Sequence, residues 1–251
     1  INTRAVHDAR GYVGDTGAVM PPVYLTSTFE TGNPDGFDYT RSGNPNFRLL
    51  EKAVASLEGA EFGTCFGSGV AAITAVVSTL KSGDRVVAEE NVYGCTYRLF
   101  DQVFGKFGVQ VDYLDLSEPD NWDHIRKTAP ALVWLESPTN PLLKIIDIEG
   151  ISRVAQEAGC DVLVDNTFAS PYLQQPLALG ATLSLHSTTK YINGHSDCLG
   201  GAVLTNDADW HARMIFAQKA LGLQPSPFDA WLTARGARTL RAVRAPCAER
   251  A

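Results

Sequence analysis

The sequence predicts an α/β protein whose mostly parallel sheet carries helices on both faces. Short runs that are apolar throughout alternate along the chain with longer stretches whose apolar residues recur at spacings of three and four. Uninterrupted apolar runs are typical of strands buried on both faces, and the three-and-four spacing is typical of amphipathic helices. With 251 residues, of which 45% are hydrophobic, the chain is long enough to bury such a sheet.

The N-terminal part of the chain is predicted to form an extended arm followed by the first helix. Residues 1–45 lack sustained periodicity and are rich in Gly, Pro, Thr and Asn, so we expect an extended arm that reaches onto a partner subunit. Asn44 and Pro45 predict the start of a helix, as an N-cap residue followed by a proline at the first helical position. Glu58 and Gly59 predict its end.

Strands and helices then alternate over residues 46–225, which we expect to form one large domain. The predicted strands are 64–66, 85–88, 109–114, 131–135, 162–164 and 183–185. Helices are predicted over 70–80 and 148–158, and a third begins within 90–98.

Composition argues against several classes of protein. Lys plus Arg number 21 against 28 Asp plus Glu, a net charge of −7, which disfavours a general binder of nucleic acid or anionic membrane. No apolar run approaches the ~18 residues that a membrane span needs. The cysteines are odd in number and widely spaced, which disfavours a disulfide framework or a metal site and favours a reducing cytoplasm; they are Cys65, Cys95, Cys160, Cys198 and Cys247.

Polar residues follow four of the predicted strands, where ligands bind in parallel sheets. Gly67, Ser68 and Gly69 separate a strand from a helix, and the exposed N–H groups of such a loop suit a phosphate, although a plain tight turn has the same composition. Asp165 follows 162–164, as a helix cap or as a functional carboxylate. Glu136 opens a rigid polar loop with the sequence ESPTNP.

Lys190 is the most informative of these strand-end residues. It lies just past a buried strand and follows three hydroxyl residues, so a solubilising surface charge explains it poorly. A lysine in a partly desolvated pocket becomes a Schiff-base nucleophile. Lys190 for an aldehyde carbon, Asp165 for a pyridinium nitrogen and the glycine loop with the hydroxyls for a phosphate together predict a pyridoxal phosphate site.

Four segments resemble the Cys/Met-metabolism family of pyridoxal phosphate enzymes. They are STTKYINGHSD (187–197), YTRSGNP (39–45), ESPTNP (136–141) and DNTF (165–168). The resemblance covers essentially the whole chain and implies fold type I, the aspartate-aminotransferase-like fold. The family includes cystathionine γ-synthase, cystathionine γ- and β-lyases, methionine γ-lyase and O-acylhomoserine sulfhydrylases.

The resemblance implies a role for each matching residue. Lys190 looks like the lysine that holds the cofactor and shuttles protons, and Asp165 like the carboxylate that keeps the pyridine nitrogen protonated. Asn140 matches the partner of the phenolic oxygen, and Tyr93 matches the tyrosine that stacks on the ring and assists proton transfer at the leaving group. The phosphate cup and its neighbours match Ser68, Gly69, Val70, Thr167, Ser187 and Thr189. The pair that reaches the phosphate of the neighbouring subunit matches Tyr39 and Arg41.

The helix after Tyr93 carries two conflicting signals. Cys95 is the methionine γ-lyase pattern, although most such cysteines are small buried residues. Arg98 is the pattern of cystathionine γ-synthase and γ-lyase, where an arginine faces the distal part of the substrate; the alternative is a surface ion pair with Asp101 or Asp84. The longer signal resembles bacterial cystathionine γ-synthases, in YRLFD (97–101), PLLKIID (141–147) and FDAWLTARGARTL (228–240).

The resemblance therefore implies γ-replacement on an O-acylated homoserine, with cysteine as nucleophile and cystathionine as product. Methionine γ-lyase, cystathionine γ-lyase and O-acylhomoserine sulfhydrylase activities are the alternatives, and a pyridoxal-fold scaffold without turnover is the non-enzymatic one. A homotetramer built as a dimer of dimers, with sites shared between subunits, is also implied. The family carries a second, smaller C-terminal domain with an arginine for the substrate α-carboxylate; we expect 226–251 to begin the linker to it.

Overall fold

The computed structural model describes the backbone of residues 2–7 and 18–248, and the side chains of residues 3–5 and 18–244. Residues 1, 8–17 and 249–251 belong to the predicted arm and the predicted C-terminal linker, and they lie outside the described residues.

A seven-stranded sheet organises the chain. Its order is β1-β7-β6-β5-β4-β2-β3, and the strands are β1 (Phe62–Phe66), β2 (Arg85–Glu89), β3 (Gln110–Leu114), β4 (Leu132–Glu136), β5 (Asp161–Asp165), β6 (Leu183–His186) and β7 (Gly201–Thr205). Strands β2 to β6 pair in parallel, while β7 lies antiparallel between β6 and β1. The six predicted strands are confirmed, as is the mostly parallel sheet.

Strand β7 is the element that the sequence did not predict. It begins at Gly201, directly after Gly200, so its start has the composition of a turn. A Cβ at Gly201 would collide with the backbone of Ser68, and glycine is therefore required where β7 enters beside the loop after β1.

Ten helices surround the sheet in the described residues: α1 (Asn2–His7), α2 (Pro45–Glu58), α3 (Gly69–Val77), α4 (Gly94–Arg98), α5 (Asp123–Thr128), α6 (Ile148–Glu157), α7 (Ser170–Leu173), α8 (Ala208–Leu221), α9 (Pro227–Ala237) and α10 (Leu240–Ala248). Helix α2 has the predicted ends: the Asn44 side chain accepts from the Asn46 N–H at 2.9 Å, and Gly59 caps the helix in the left-handed region with φ 77°. Helix α3 ends three residues before the predicted Leu80, because the hydroxyls of Ser78 and Thr79 bond to preceding backbone carbonyls in the last turn.

Alternate strand residues pack into separate apolar clusters, so both faces of the sheet are covered. Trp134 and Leu163 face a cluster that includes residues of α3 and α8. Val133 and Val164 face another cluster that includes residues of α6. A third cluster joins α2 and α9 beside β1 and β7. None of the helices within residues 2–7 and 18–248 is both long and apolar enough to cross a membrane.

A buried contact between Glu58 and His186 fixes α2 to the sheet next to the strand end of β6. The Oε2 atom of Glu58 lies 2.9 Å from Nε2 of His186, and the two side chains are 0% and 1% exposed. The Ser184 hydroxyl lies 3.3 Å from the same nitrogen. Because His186 directly precedes Ser187, this pair anchors the segment that leads into the predicted site.

Replacement of Glu58 by leucine is expected to lower the free energy of unfolding by about 1–3 kcal/mol, because the buried His186 then has only the longer contact with Ser184. Urea denaturation measures the change. Glu149→Leu is the matched control: its pair with Arg153 is 69% and 68% exposed, and such a surface pair contributes less than about 1 kcal/mol. Equal losses in the two variants would contradict an anchoring role for Glu58.

Candidate active site

The carboxyl ends of β4, β5 and β6 meet the loop after β1 at one edge of the sheet, and a cavity of about 170 Å³ lies between them. Ten predicted site residues line it: Ser68, Gly69, Val70, Tyr93, Asn140, Asp165, Thr167, Ser187, Thr189 and Lys190. A larger groove of about 760 Å³ lies at the opposite ends of the strands, lined by residues such as Trp210 and Phe216, and none of these ten residues borders it.

The glycine loop after β1 forms one side of the cavity. Ser68 is the N-cap of α3, and its hydroxyl accepts from the Ala71 N–H at 3.0 Å. A Cβ at Gly69 would lie 2.8 Å from Cβ of Ser187, so only glycine lets the start of α3 approach the end of β6 so closely. The helix N-terminus and the Ser187 side chain thereby converge, as an anion site requires.

Two threonines hold the segment after β6. The Thr167 hydroxyl accepts from the Ser187 N–H at 2.8 Å. The Thr189 hydroxyl accepts from the Gly200 N–H at 3.0 Å and donates to the Gly200 carbonyl at 3.2 Å. Thr189 lines the cavity, but its hydroxyl already has both partners in the loop that precedes β7.

Asp165 and Glu136 are neighbours across paired strands, because residue 136 of β4 is in register with residue 165 of β5. Both side chains are buried. Oδ1 of Asp165 accepts from the Thr167 N–H at 3.0 Å. Burial raises the pKa of Asp165, while the hydrogen bonds from Thr167 and the charge of His186 act in the opposite direction.

Glu136 is the more basic member of this pair. Burial is the first cause that raises its pKa to about 9, and the negative charges of Asp165 and Glu89 add to it. Its Oε2 accepts from the Tyr93 N–H at 2.7 Å. Near neutral pH Glu136 therefore keeps its proton, and its carboxyl group adds no negative charge beside Asp165.

Tyr93, Cys95 and Arg98 form a chain of contacts at the start of α4. Sγ of Cys95 lies 3.3 Å from the Tyr93 hydroxyl and 2.8 Å from Nη2 of Arg98. The contact with Tyr93 is the main cause that lowers the pKa of Cys95, and Arg98 adds to it. The same contact raises the pKa of Tyr93, so the tyrosine keeps its proton beside the cavity.

Arg98 does not line the cavity itself. It contacts Cys95, Cys95 contacts Tyr93, and Tyr93 lines the cavity. The expected alternative was an ion pair with Asp101 or Asp84, and among the ion pairs of the described residues Arg98 has neither partner. The arginine is fixed beside Tyr93 instead.

Lys190 departs from the expectation of a partly desolvated lysine. It lines the cavity, but its side chain is exposed, because it stands four residues beyond the end of β6 in a turn at the mouth of the cavity. Asn140 lines the opposite side and lies in a loop that has cis peptide bonds at Ser137-Pro138 and Asn140-Pro141.

Tyr39 and Arg41 are not brought to this cavity. The guanidinium of Arg41 lies 5.5 Å from the ring of Tyr39 and donates to the Lys219 carbonyl at 3.0 Å. Both side chains are exposed. Within the described chain the pair therefore faces outward.

Sequence reasoning missed some of the residues that line the cavity. Glu136 was noted only as the first residue of a polar loop, although its place directly after a buried strand is the same signal that identified Asp165. Leu199 lies in the segment before the unpredicted strand β7, and no local pattern marks it. Ile73, Phe168 and Leu185 complete the apolar lining.

The donor set fits pyridoxal phosphate. A helix N-terminus that only glycine permits lies against Ser187, a buried aspartate lines the same cavity, and a primary amine stands at the mouth of that cavity. A phosphate, a pyridinium nitrogen and an aldehyde are the groups that these three features suit.

Comparisons with known proteins agree with this geometry. The family model for Cys/Met metabolism PLP-dependent enzymes matches residues 2–249. A probable cystathionine gamma-synthase of Herpetosiphon aurantiacus is 46% identical over 241 residues, which cover 95% of this chain and 76% of that protein. Cystathionine gamma-lyase of Homo sapiens is 47% identical over 227 residues, 89% of this chain and 56% of that protein.

Solved structures of similar sequence share the fold. Cystathionine gamma synthase from Xanthomonas oryzae pv. oryzae, crystallised in complex with aminoacrylate and cysteine, is 45% identical with a TM-score of 0.92, and the match covers 96% of this chain and 63% of that one. The chain thus spans between 56% and 76% of the length of these three relatives. It has the α/β fold of PLP fold type I, and it belongs to the Cys/Met metabolism family of PLP-dependent enzymes.

Proposed function

We propose that the chain is the cofactor-binding part of an enzyme that catalyses γ-replacement on an O-acylated homoserine, with cysteine as the nucleophile and cystathionine as the product. The observation that carries the proposal is the position of Arg98, which contacts Cys95 beside Tyr93 at 2.8 Å. A guanidinium there offers a planar, charged partner to an acyl group that ends in a carboxylate.

Each side chain around the cavity has a separate role in this proposal. The Gly69 and Val70 N–H groups with the Ser187 side chain would hold the phosphate group, while Ser68, Thr167 and Thr189 hold the surrounding loops. Asp165 would hold the proton on the pyridine nitrogen, and Asn140 would donate to the phenolic oxygen. When bound, the cofactor supplies an electron sink for the substrate carbanion.

Proton transfer falls to Lys190 and Tyr93. The Lys190 amine would hold the cofactor at its aldehyde carbon and, as a free base, would take the proton from the substrate Cα. Tyr93 would contact the cofactor, and its protonated hydroxyl would assist proton transfer at the leaving group. The acyl carboxylate would leave Cγ with the bonding electron pair, the cysteine thiolate would bond to the same carbon, and the proton taken from Cα would return to the product.

Other activities within the family and one non-enzymatic function are the alternative candidates. Cys95 at the Tyr93 hydroxyl favours methionine γ-lyase within the family, and relatives named cystathionine gamma-lyase and cystathionine beta-lyase match at 42–47% identity; O-acylhomoserine sulfhydrylase is the further alternative. A scaffold without turnover is the non-enzymatic candidate. The convergence of Lys190, Asp165 and Tyr93 on one cavity speaks against it, since a scaffold requires none of them.

The assembly and the domain division complete the proposal. We propose a homotetramer in the cytoplasm, a dimer of dimers, in which Tyr39 and Arg41 reach the phosphate of the neighbouring subunit; their outward orientation supports this. Residues 1–45 would be the arm, 46–225 the cofactor-binding domain and 226–251 the beginning of the connection to a C-terminal domain.

The first test concerns the covalent attachment. Borohydride reduction of the protein loaded with pyridoxal phosphate, followed by peptide mapping, is expected to place the phosphopyridoxyl group on Lys190. The Lys190→Ala variant treated in the same way is the control. Label on another lysine, or a loaded wild-type protein without label, would contradict the assignment.

The second test concerns the shared site. In the full-length protein, Arg41→Ala is expected to weaken cofactor retention, because the phosphate loses a charged partner from the adjacent subunit. Hybrids of Arg41→Ala and Lys190→Ala subunits are expected to regain part of the activity, since one of the two sites then has both residues. Verified hybrids without any regained activity would show that each subunit builds its own site.

The third test concerns the substrate class. In the full-length protein, Arg98→Ala is expected to raise KM for O-succinylhomoserine roughly tenfold, as for loss of a hydrogen bond to a charged group. KM for O-acetylhomoserine is expected to change little, because its acyl group ends in a methyl. Arg98→Lys is the matched variant that keeps the charge and loses the planar fork. Equal effects on both esters would favour methionine γ-lyase over the synthase.

A further inference from the structure

Glu136 bridges the two loops that border the cavity. Its Oε2 accepts from the backbone N–H of Tyr93, 43 residues away, at 2.7 Å, and the Asn140 backbone N–H is among the groups that act to lower the pKa of Glu136. The side chain is 5% exposed and lines the cavity. One carboxyl group thus joins the loop that carries the tyrosine to the loop that carries the asparagine.

The Tyr93 loop needs such an anchor. Helix α4 continues into a π-helical turn over Leu99–Val103, but its N-cap residue Tyr93 makes no capping hydrogen bond with its side chain. The Tyr93 side chain is 39% exposed, so packing fixes the ring only in part, and the Glu136 bond fixes the backbone from which the ring projects.

We propose that Glu136 is a positioning residue, which sets the distance between Tyr93 and Asn140 and thereby the width of the cavity. It holds backbone groups and not the reacting atoms. The proposal rests on the cofactor site and is independent of which substrate the enzyme uses.

The proton on Glu136 is compatible with this role. A protonated carboxyl keeps a carbonyl oxygen that accepts backbone N–H groups, and it adds no second negative charge beside Asp165. A glutamine has the same shape and the same acceptor, and it is neutral. Glu136→Gln is therefore the conservative variant, Glu136→Leu removes the acceptor, and Glu136→Asp keeps a carboxyl but shortens its reach by one methylene.

Glu89 provides a matched control. It ends the neighbouring strand β2, is fully buried and accepts from the Leu116 N–H at 2.8 Å and the Asn91 N–H at 3.2 Å. It occupies an equivalent strand-end position but does not border the cavity. A purely structural role would make the two glutamates equivalent.

Cys95 reports the position of Tyr93 without any turnover. The tyrosine hydroxyl is the main cause of the lowered pKa of Cys95, so displacement of Tyr93 raises the pH midpoint of Cys95 alkylation. The experiment measures this midpoint with iodoacetamide and peptide mapping, and the dissociation constant of pyridoxal phosphate by absorbance, in the full-length protein and its variants.

Glu136→Leu and Glu136→Asp are expected to raise the alkylation midpoint and to weaken cofactor binding about tenfold, as for loss of a hydrogen bond near a charged group. Glu136→Gln is expected to match the wild type in both measurements. Glu89→Leu is expected to raise the alkylation midpoint less than Glu136→Leu does, because Glu89 holds Asn91 and not Tyr93 itself. If Glu136→Leu does not fold, the aspartate variant carries the same comparison. An unchanged midpoint in the aspartate variant, a glutamine variant that behaves like it, or an equal shift in Glu89→Leu would overturn the proposal. Failure of the γ-replacement reaction alone would leave these readouts unaffected.

Discussion

Five parallel strands run in one direction, and so their carboxyl ends must lie at the same edge of the sheet. That constraint brings together residues which are far apart in the chain. Glu136 and Asp165 become register neighbours on β4 and β5, and the end of β6 delivers Ser187 to the start of α3. Strand β7, which runs antiparallel between β1 and β6, places the glycine loop on the far side of the same edge. The cavity is the space that these ends leave between them.

Burial at this edge determines the charge of the site. Two carboxyl groups that lie side by side in a poorly solvated place cannot both ionise easily, because each charge raises the free energy of the other. Burial raises the pKa of both groups. The negative charges of Asp165 and Glu89 raise that of Glu136 further, whereas the hydrogen bonds from Thr167 and the charge of His186 act to lower that of Asp165. His186 is itself held by Glu58 from α2. The contact between Glu58 and His186 therefore affects the pKa of Asp165, the carboxyl group that lines the cavity.

Much of the fold and of the cofactor site could be predicted from the sequence, because their signals are local. The Asn44 cap, Gly59 and each buried strand can be identified from a few adjacent residues. Asp165 stands out because it directly follows a predicted strand, and Lys190 because it lies shortly after one and follows three hydroxyl residues. Strand β7 could not be predicted, since its glycine start is required by a close approach to Ser68, which is 133 positions away. The protonation of Glu136 and the exposure of Lys190 likewise depend on neighbours from other strands and on the depth of the cavity. No short segment of sequence contains that information.

The difference between a local sequence signal and a contact that forms only in the fold also applies to Cys95 and Arg98, the two residues that indicate substrate specificity. As sequence patterns they point to different members of the family and exclude one another. In the fold they are adjacent members of one set of contacts, Tyr93 to Cys95 to Arg98, in which each group alters the others. The arginine lowers the pKa of the thiol, and the thiol holds the arginine near the tyrosine. A cysteine at this position therefore does not by itself favour chemistry without an arginine-bound acyl group. Cys95 also holds the guanidinium of Arg98 beside the cavity, through the contact of its sulfur with Nη2.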